Sequence, residues 1–186
     1  SAPPGLVRGR GQDLFLILAI AVALFGINAL IIEPMGWLRY DSPSLTAIPA
    51  TVDQYADLDG QVALIGYDAP RMARAGENVA LTLYWQALRE MSASYKVFVH
   101  LVDPRTGTIV TQDDAVPRRG AYPTTLWTPG EVVSDTIVLS LQGISEGRYR
   151  LLVGLYEGAS GERLPAYTSQ GEQYPDNAAP LSEVVR

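Results

Sequence analysis

Two carboxylates, two guanidinium forks and two aromatic rings fall within one stretch, Asp113-Asp114-Ala115-Val116-Pro117-Arg118-Arg119-Gly120-Ala121-Tyr122-Pro123-Thr124-Thr125-Leu126-Trp127. A set of this kind recognises rather than reacts. Arginine forks pair with carboxylates or phosphates, and aromatic rings bury large areas at contacts. Arg118, Arg119, Tyr122 and Trp127 are therefore candidate ligand or partner contacts. The competing arrangement is a long loop packed on itself. Trp127 would then plug one end of the domain, and Arg118 or Arg119 would pair with Asp113 or Asp114.

Other reactive groupings are sparse. His100 is the sole histidine and cysteine is absent. Disulfides, thiolate metal sites and the usual zinc site are thereby excluded. A strand histidine with a structural hydrogen bond is expected. Tyr84 and Trp85 would form a sugar-stacking platform if their strand paired beside His100; otherwise they are core and cross-strand packing. Glu131 and Asp135 are spaced like an acid/base pair, but without a sugar-lined groove they read as solvated strand edges. Asp53, Asp57 and Asp59 invite a calcium ion, yet their spacing matches no calcium loop, and a solvated linker is expected. No phosphate-binding loop, dinucleotide fingerprint, nucleophile elbow or zinc motif is present. The expectation is a protein without catalytic residues, cofactor or metal. Its 14 basic and 20 acidic residues give a net charge of −6, which argues against nucleic acid and against docking on anionic lipid.

The element that positions everything else is the apolar run Leu14 to Ile32, LFLILAIAVALFGINALII, in which Asn28 is the one strongly polar side chain. A hydrocarbon core about 30 Å thick takes roughly 20 apolar helical residues, and this run has no polar face. It reads as an uncleaved transmembrane helix over 13–33. Its length and the lack of a small-x-small site distinguish it from a signal peptide. Arg8 and Arg10 precede it and Glu33 follows, which places the N-terminus in the cytoplasm and the rest outside the cell. Trp37 and Tyr40 fit an outer interfacial anchor, and Asn28 is placed to hydrogen-bond a neighbouring helix. Residues 1–12 form a Gly/Pro-containing cytoplasmic arm. Ser1 is what removal of an initiator Met would leave, so a natural start is expected there.

Pro34, Pro43 and Pro49 make 34–60 a linker. From Gln61 onward, over 61–186, the pattern is that of strands. Val79, Leu81, Leu83 and Trp85 alternate with Ala80, Thr82, Tyr84 and Gln86. Tyr95, Val97, Val99 and Leu101 do the same, as do Tyr149, Leu151, Val153 and Leu155. Val133, Ile137, Leu139 and Leu141 mark another strand, and Leu181 to Val185 a last one. Asp103-Pro104-Arg105-Thr106-Gly107 is a hairpin signal. Short strands with regular turns and no helical stretch predict an all-β extracytoplasmic domain, an immunoglobulin-like antiparallel β-sandwich.

LTLYWQAL (81–88), YKVFVHLVD (95–103), AYPTTLWTPGE (121–131) and YRLLVGLYEGASGERLPA (149–166) together resemble one module. It is the C-terminal β-sandwich of large glycosyltransferase-like membrane proteins of the mannosyltransferase superfamily, abundant in green non-sulfur (Chloroflexus-like) bacteria. The resemblance covers about residues 60 to 168. It implies a sandwich following a last membrane helix through a Pro-rich linker. The catalytic machinery of those proteins lies in a multi-span part that this chain lacks, so no glycosyl transfer is implied. The expected function is a non-catalytic single-span accessory subunit of a membrane complex. Its helix would pack on partner transmembrane subunits and its sandwich would brace the outer face. In such a host, photosynthetic and respiratory complexes are the candidate assemblies. The alternative is a carbohydrate- or cell-envelope-binding module associated with a membrane glycosyltransferase.

Overall fold

A computed structural model describes residues 16–23, 43, 48–74 and 76–185. The chain divides into two units, Ser1–Asp41 and Ser42–Arg186. In the first, residues 16–23 are helical. Leu16, Ile17, Leu18, Ile20 and Val22 are all exposed there. Among the described residues no helix is long and apolar enough to cross a membrane. Asn28, Trp37, Tyr40, the arm 1–12 and the remainder of 13–33 lie outside the described residues.

The second unit is an antiparallel β-sandwich. Its strands are β1 (Ala56–Leu58), β2 (Val62–Asp68), β3 (Asn78–Ala87), β4 (Tyr95–Val102), β5 (Ile109–Ala115), β6 (Val132–Ser140), β7 (Arg148–Glu157), β8 (Ala166–Tyr167) and β9 (Ala179–Val185). One sheet runs β6-β3-β2-β1-β8 and the other β5-β4-β7-β9. Period-two alternation explains the core: Val79, Leu81, Leu83 and Trp85 from β3 meet Val97, Val99 and Leu101 from β4 and Leu151, Val153 and Leu155 from β7, all essentially solvent-free.

Two departures from the sequence reading have simple causes. Strand β1 lies inside the segment expected to be linker. Ala56 and Leu58 are buried while Asp57 between them is not, and β1 pairs with both β2 and β8. A three-residue strand is too short to announce itself by alternation. The acidic group beside it builds the following turn: Asp57 Oδ1 accepts the Gly60 N–H at 2.6 Å, and Asp59 and Gly60 both take positive φ. At the end of β2, Asp68 gathers Thr51 and Tyr84, accepting the Thr51 N–H at 2.6 Å and the Tyr84 hydroxyl at 2.8 Å.

The chain crosses between the sheets at β3–β4, β5–β6, β6–β7, β7–β8 and β8–β9, and backbone hydrogen bonds near two connections add to this. Between β2 and β3, residues 71–73 reach the other sheet: Ala73 N–H donates to Val185 O and Val185 N–H to Arg71 O, both at 3.0 Å. Between β7 and β8 the chain passes from one sheet to the other, starting as a tight hairpin. Glu157 N–H donates to Glu162 O, and Leu164 N–H to Leu155 O, both at 2.9 Å.

Candidate functional site

The 113–127 stretch is largely satisfied by its own hydrogen bonds. Asp113 and Asp114 belong to β5 rather than to the loop. Arg119 forms an ion pair with Asp113: Nη1 donates to Oδ1 at 3.0 Å, and Nη2 lies 2.6 Å from Oδ2. Arg118 Nη1 donates to Ser134 O at 3.3 Å, and its backbone N–H donates to Asp135 Oδ1 at 2.8 Å. Arg118 and Arg119 both adopt left-handed backbone angles, φ 57° and 56°. That turn aims the Arg118 N–H at the carboxylate beneath it. Tyr122 and Trp127 are only 6% and 2% exposed. Trp127 Nε1 donates to Tyr122 O at 3.1 Å, and the Tyr122 hydroxyl to Glu131 Oε1 at 2.9 Å. Thr124, fully buried, accepts the Tyr95 N–H and donates to Ala93 O, both at 3.0 Å. The two aromatic rings thus hold the loop to the sandwich and present no open face to a ligand.

One further expectation changes, and one conditional pairing does not form. Glu131 and Asp135 are not solvated strand edges, nor an acid/base pair. Glu131 Oε2 accepts from Thr128 N at 2.9 Å and Thr128 Oγ1 at 3.1 Å, closing the loop end. Asp135 is 3% exposed. On β6 it shares the parity of Val133, Ile137 and Leu139, so alternation turns it inward. Burial pushes its pKa up, against the pull of the Arg118 N–H and of the Arg118 and Arg119 charges, and Asp113 pushes in the same upward direction. Nor do Tyr84 and Trp85 stand beside His100. They lie on β3 in the five-stranded sheet, whereas β4 belongs to the other. Trp85 is a core residue with no exposure.

The side chains that do come together lie on the outer face of the four-stranded sheet. Phe98 and His100 point away from Val97, Val99 and Leu101, yet they are just 1% and 7% exposed. Register sets what surrounds them: Phe98 stands opposite Asp114 on β5 and Gly154 on β7. A Cβ at Gly154 would lie 2.5 Å from Phe98 Cζ, so the ring occupies the room the glycine leaves. The hairpin after β7 then brings Arg163 over the Phe98 ring at 4.3 Å, with Arg163 Nη1 donating to Asp176 O at 2.8 Å. His100 Nε2 approaches Asp114 Oδ1 at 3.5 Å, and the His100 and Phe98 rings lie 4.8 Å apart.

Phe98, His100, Asp114, Tyr156, Gly161 and Arg163 line a cavity of about 170 Å³. A second cavity of about 320 Å³ adjoins it, with Arg163 in the wall of both and Asp59, Glu157 and Glu162 among its other residues. Burial lowers the His100 pKa, the Asp114 charge opposes this, and Arg163 adds to the lowering. The lowering favours the neutral imidazole, whose Nε2 faces Asp114. Burial also raises the Tyr156 pKa, reinforced by Asp114. Among the described residues no group of three or more His, Asp or Glu side chains is set to hold a metal ion.

Phe98, Tyr156 and Arg163 were not singled out from the sequence. Phe98 and His100 share a strand face by parity, but their neighbours depend on the β4–β5 and β4–β7 registers. Arg163 arrives only because the hairpin after β7 folds back.

No family model matches the chain, and no curated protein matches it. Among solved structures it is similar to the C-terminal domain of Wzt, with a TM-score of 0.51 and 12% identity over 76% of this chain and 83% of that one. The CARDB domain of a Pyrococcus furiosus protein, solved in complex with di-metal ions, gives a TM-score of 0.39 and 16% identity over 78% and 98% of the two chains. At such identities the likeness is one of fold, an immunoglobulin-like antiparallel β-sandwich.

Proposed function

We propose that the chain is a non-catalytic, single-span accessory subunit of a larger membrane assembly, its β-sandwich held at the outer face. The observation that carries this reading is the pairing of an apolar segment, Leu14 to Ile32, broken only by Asn28, with a sandwich whose most reactive-looking loop is bonded to the strands beside it and to its own end. Arg119 meets Asp113, Arg118 N–H meets Asp135, and Tyr122 meets Glu131. Such groups serve shape rather than turnover. The exposed apolar side chains of residues 16–23 also support it, because a helix that shows Leu, Ile and Val outward suits a lipid or helix environment. The test is extraction of native membranes in a mild detergent, followed by native electrophoresis. The chain comigrates with a complex much larger than itself if the reading holds. A free monomer at every detergent concentration that leaves other complexes intact overturns it.

A second reading, a carbohydrate- or cell-envelope-binding module, is favoured by the cavity around Phe98, His100, Asp114, Tyr156 and Arg163. This cavity combines aromatic rings with both hydrogen-bond donors and acceptors.

A further inference from the structure

We propose that the cavity walled by Phe98, His100, Asp114, Tyr156 and Arg163 binds a neutral hexose ring, and that the adjoining cavity across Arg163 takes the next ring of the same glycan. The inference deepens the second of the two readings above and is independent of the first. Three features of the cavity select this chemistry. Its polar groups are complementary and convergent. Asp114 accepts hydrogen bonds and the Arg163 fork donates them, which matches the vicinal hydroxyls of a sugar. Tyr156, half-buried at the rim, offers an aromatic surface against which the C–H face of a pyranose packs. Charge decides between neutral and acidic sugars. Asp114 offsets Arg163 inside the cavity, and Asp59, Glu157 and Glu162 stand around the next one. Lys96 over Tyr156 and Arg89 beside Asp59 add positive charge, but Glu157 and Glu162 leave the second cavity acidic, so a carboxylated or sulfated ring is disfavoured there while a neutral ring is not.

Rigidity supports the assignment. Arg163 is held from several directions: it stacks on Phe98, donates to Asp176 O, and bridges through its backbone to Tyr156. Phe98 is in turn seated over Gly154. A ligand entering this cavity finds its donors and acceptors already placed, which lowers the ordering cost of binding.

The test uses the full chain in a non-glycosidic zwitterionic detergent, because maltoside detergents carry the very ligand under study. Isothermal titration with gluco-, manno- and galacto-oligosaccharides, the parent monosaccharides, and oligogalacturonate as the acidic counterpart provides the arms. At least one neutral oligosaccharide series binds, more tightly than its monosaccharide. Asp114→Asn and Tyr156→Ala each weaken it about ten-fold or more, while Arg105→Ala, on the hairpin after β4, leaves it unchanged. Near-ultraviolet circular dichroism confirms that each variant is folded. Absence of binding by every neutral series, preference for oligogalacturonate, or wild-type affinity in both folded cavity variants overturns the proposal. Equal affinity for monosaccharide and oligosaccharide overturns the role given to the second cavity. Comigration in the native gel does not depend on these variants, so failure here leaves the accessory-subunit reading standing, and the reverse.

Discussion

Gly154→Ala tests the packing of the outer sheet face most directly. An added Cβ lies 2.5 Å and 2.6 Å from Phe98 Cζ and Cε1 and 2.9 Å from the carbonyl oxygen of Asn177. All three distances are well below ordinary contact. The ring has little room to retreat, being 1% exposed, with Arg163 stacked on it at 4.3 Å and His100 4.8 Å away. The oxygen belongs to backbone. A single methyl must therefore displace either a pinned ring or a chain segment, an overpacking cost of about 1–3 kcal/mol. For a unit of this size that corresponds to a fall in melting temperature of about 3–12 °C. The assay is thermal unfolding of the full chain followed by near-ultraviolet circular dichroism, where the buried Trp85 and Trp127 report tertiary packing. Phe98→Leu removes the two ring atoms nearest the new methyl, so the double variant is less destabilised than the sum of the two singles. The remaining Asn177 contact keeps the rescue partial. A melting temperature within 1 °C of wild type, about the error of such a melt, or strict additivity in the cycle, refutes the geometry on which the cavity rests.

Four further outcomes are expected. The raised pKa of Asp135 means that the folded chain binds more protons than the unfolded one between the ordinary value of 3.8 and the raised one, so its contribution to stability falls as pH rises through that window. Asp135→Asn keeps an acceptor for the Arg118 N–H and lacks the charge. Its melting temperature relative to wild type climbs between pH 3 and pH 7, and a pH-independent difference would rule the reasoning out. Asp135→Ala instead strands the Arg118 N–H and costs about 1–3 kcal/mol at neutral pH in denaturant titrations. Thr124→Val preserves volume but leaves the Tyr95 N–H and Ala93 carbonyl without their hydroxyl partner. A loss of about 1–3 kcal/mol follows in the same titration, and an unchanged midpoint would contradict the two hydrogen bonds. Trp127→Ala empties a fully packed indole site and costs about 3–5 kcal/mol, read as a shifted chemical unfolding midpoint. A loss of partner or ligand binding at wild-type stability would instead make Trp127 a contact residue.

The sandwich was legible because β3, β4 and β7 each carry runs in which one parity is apolar throughout, even where Phe98 and Leu152 add apolar residues on the other. Asp135 obeys the same rule although it was expected in water. It sits two residues from Val133 and two from Ile137, and the parity that buries them buries it; its charge argued for water, and the strand's geometry won. Strand β1 was hidden because Ala56-Asp57-Leu58 gives a single alternation, and the prolines upstream drew the linker boundary too late. The pairing imagined between Tyr84, Trp85 and His100 required β3 and β4 to be neighbours. Consecutive strands in a sandwich often belong to opposite sheets, and local sequence carries no sign of which applies. The cavity was illegible for a related reason. Phe98, Asp114 and Gly154 meet by register between three strands, and Arg163 by a hairpin whose return path no propensity encodes.

The short reach of residues 71–73 onto β9 bears on how molecules of this chain behave when crowded together. A sheet edge with open N–H and C=O groups is a template for a second chain. At β9 the Val185 amide and carbonyl are already taken by Arg71 and Ala73, so at that point a stranger has nothing to zip onto. At the opposite border, β5 carries the Asp113–Arg119 ion pair on one face and Asp114 on the other, and a strand zipping onto it would have to accommodate charged side chains on both faces. The four-stranded sheet is thus guarded at the end of β9 by occupancy and along β5 by charged side chains, which favours monodisperse sandwiches over edge-to-edge aggregates at high local concentration.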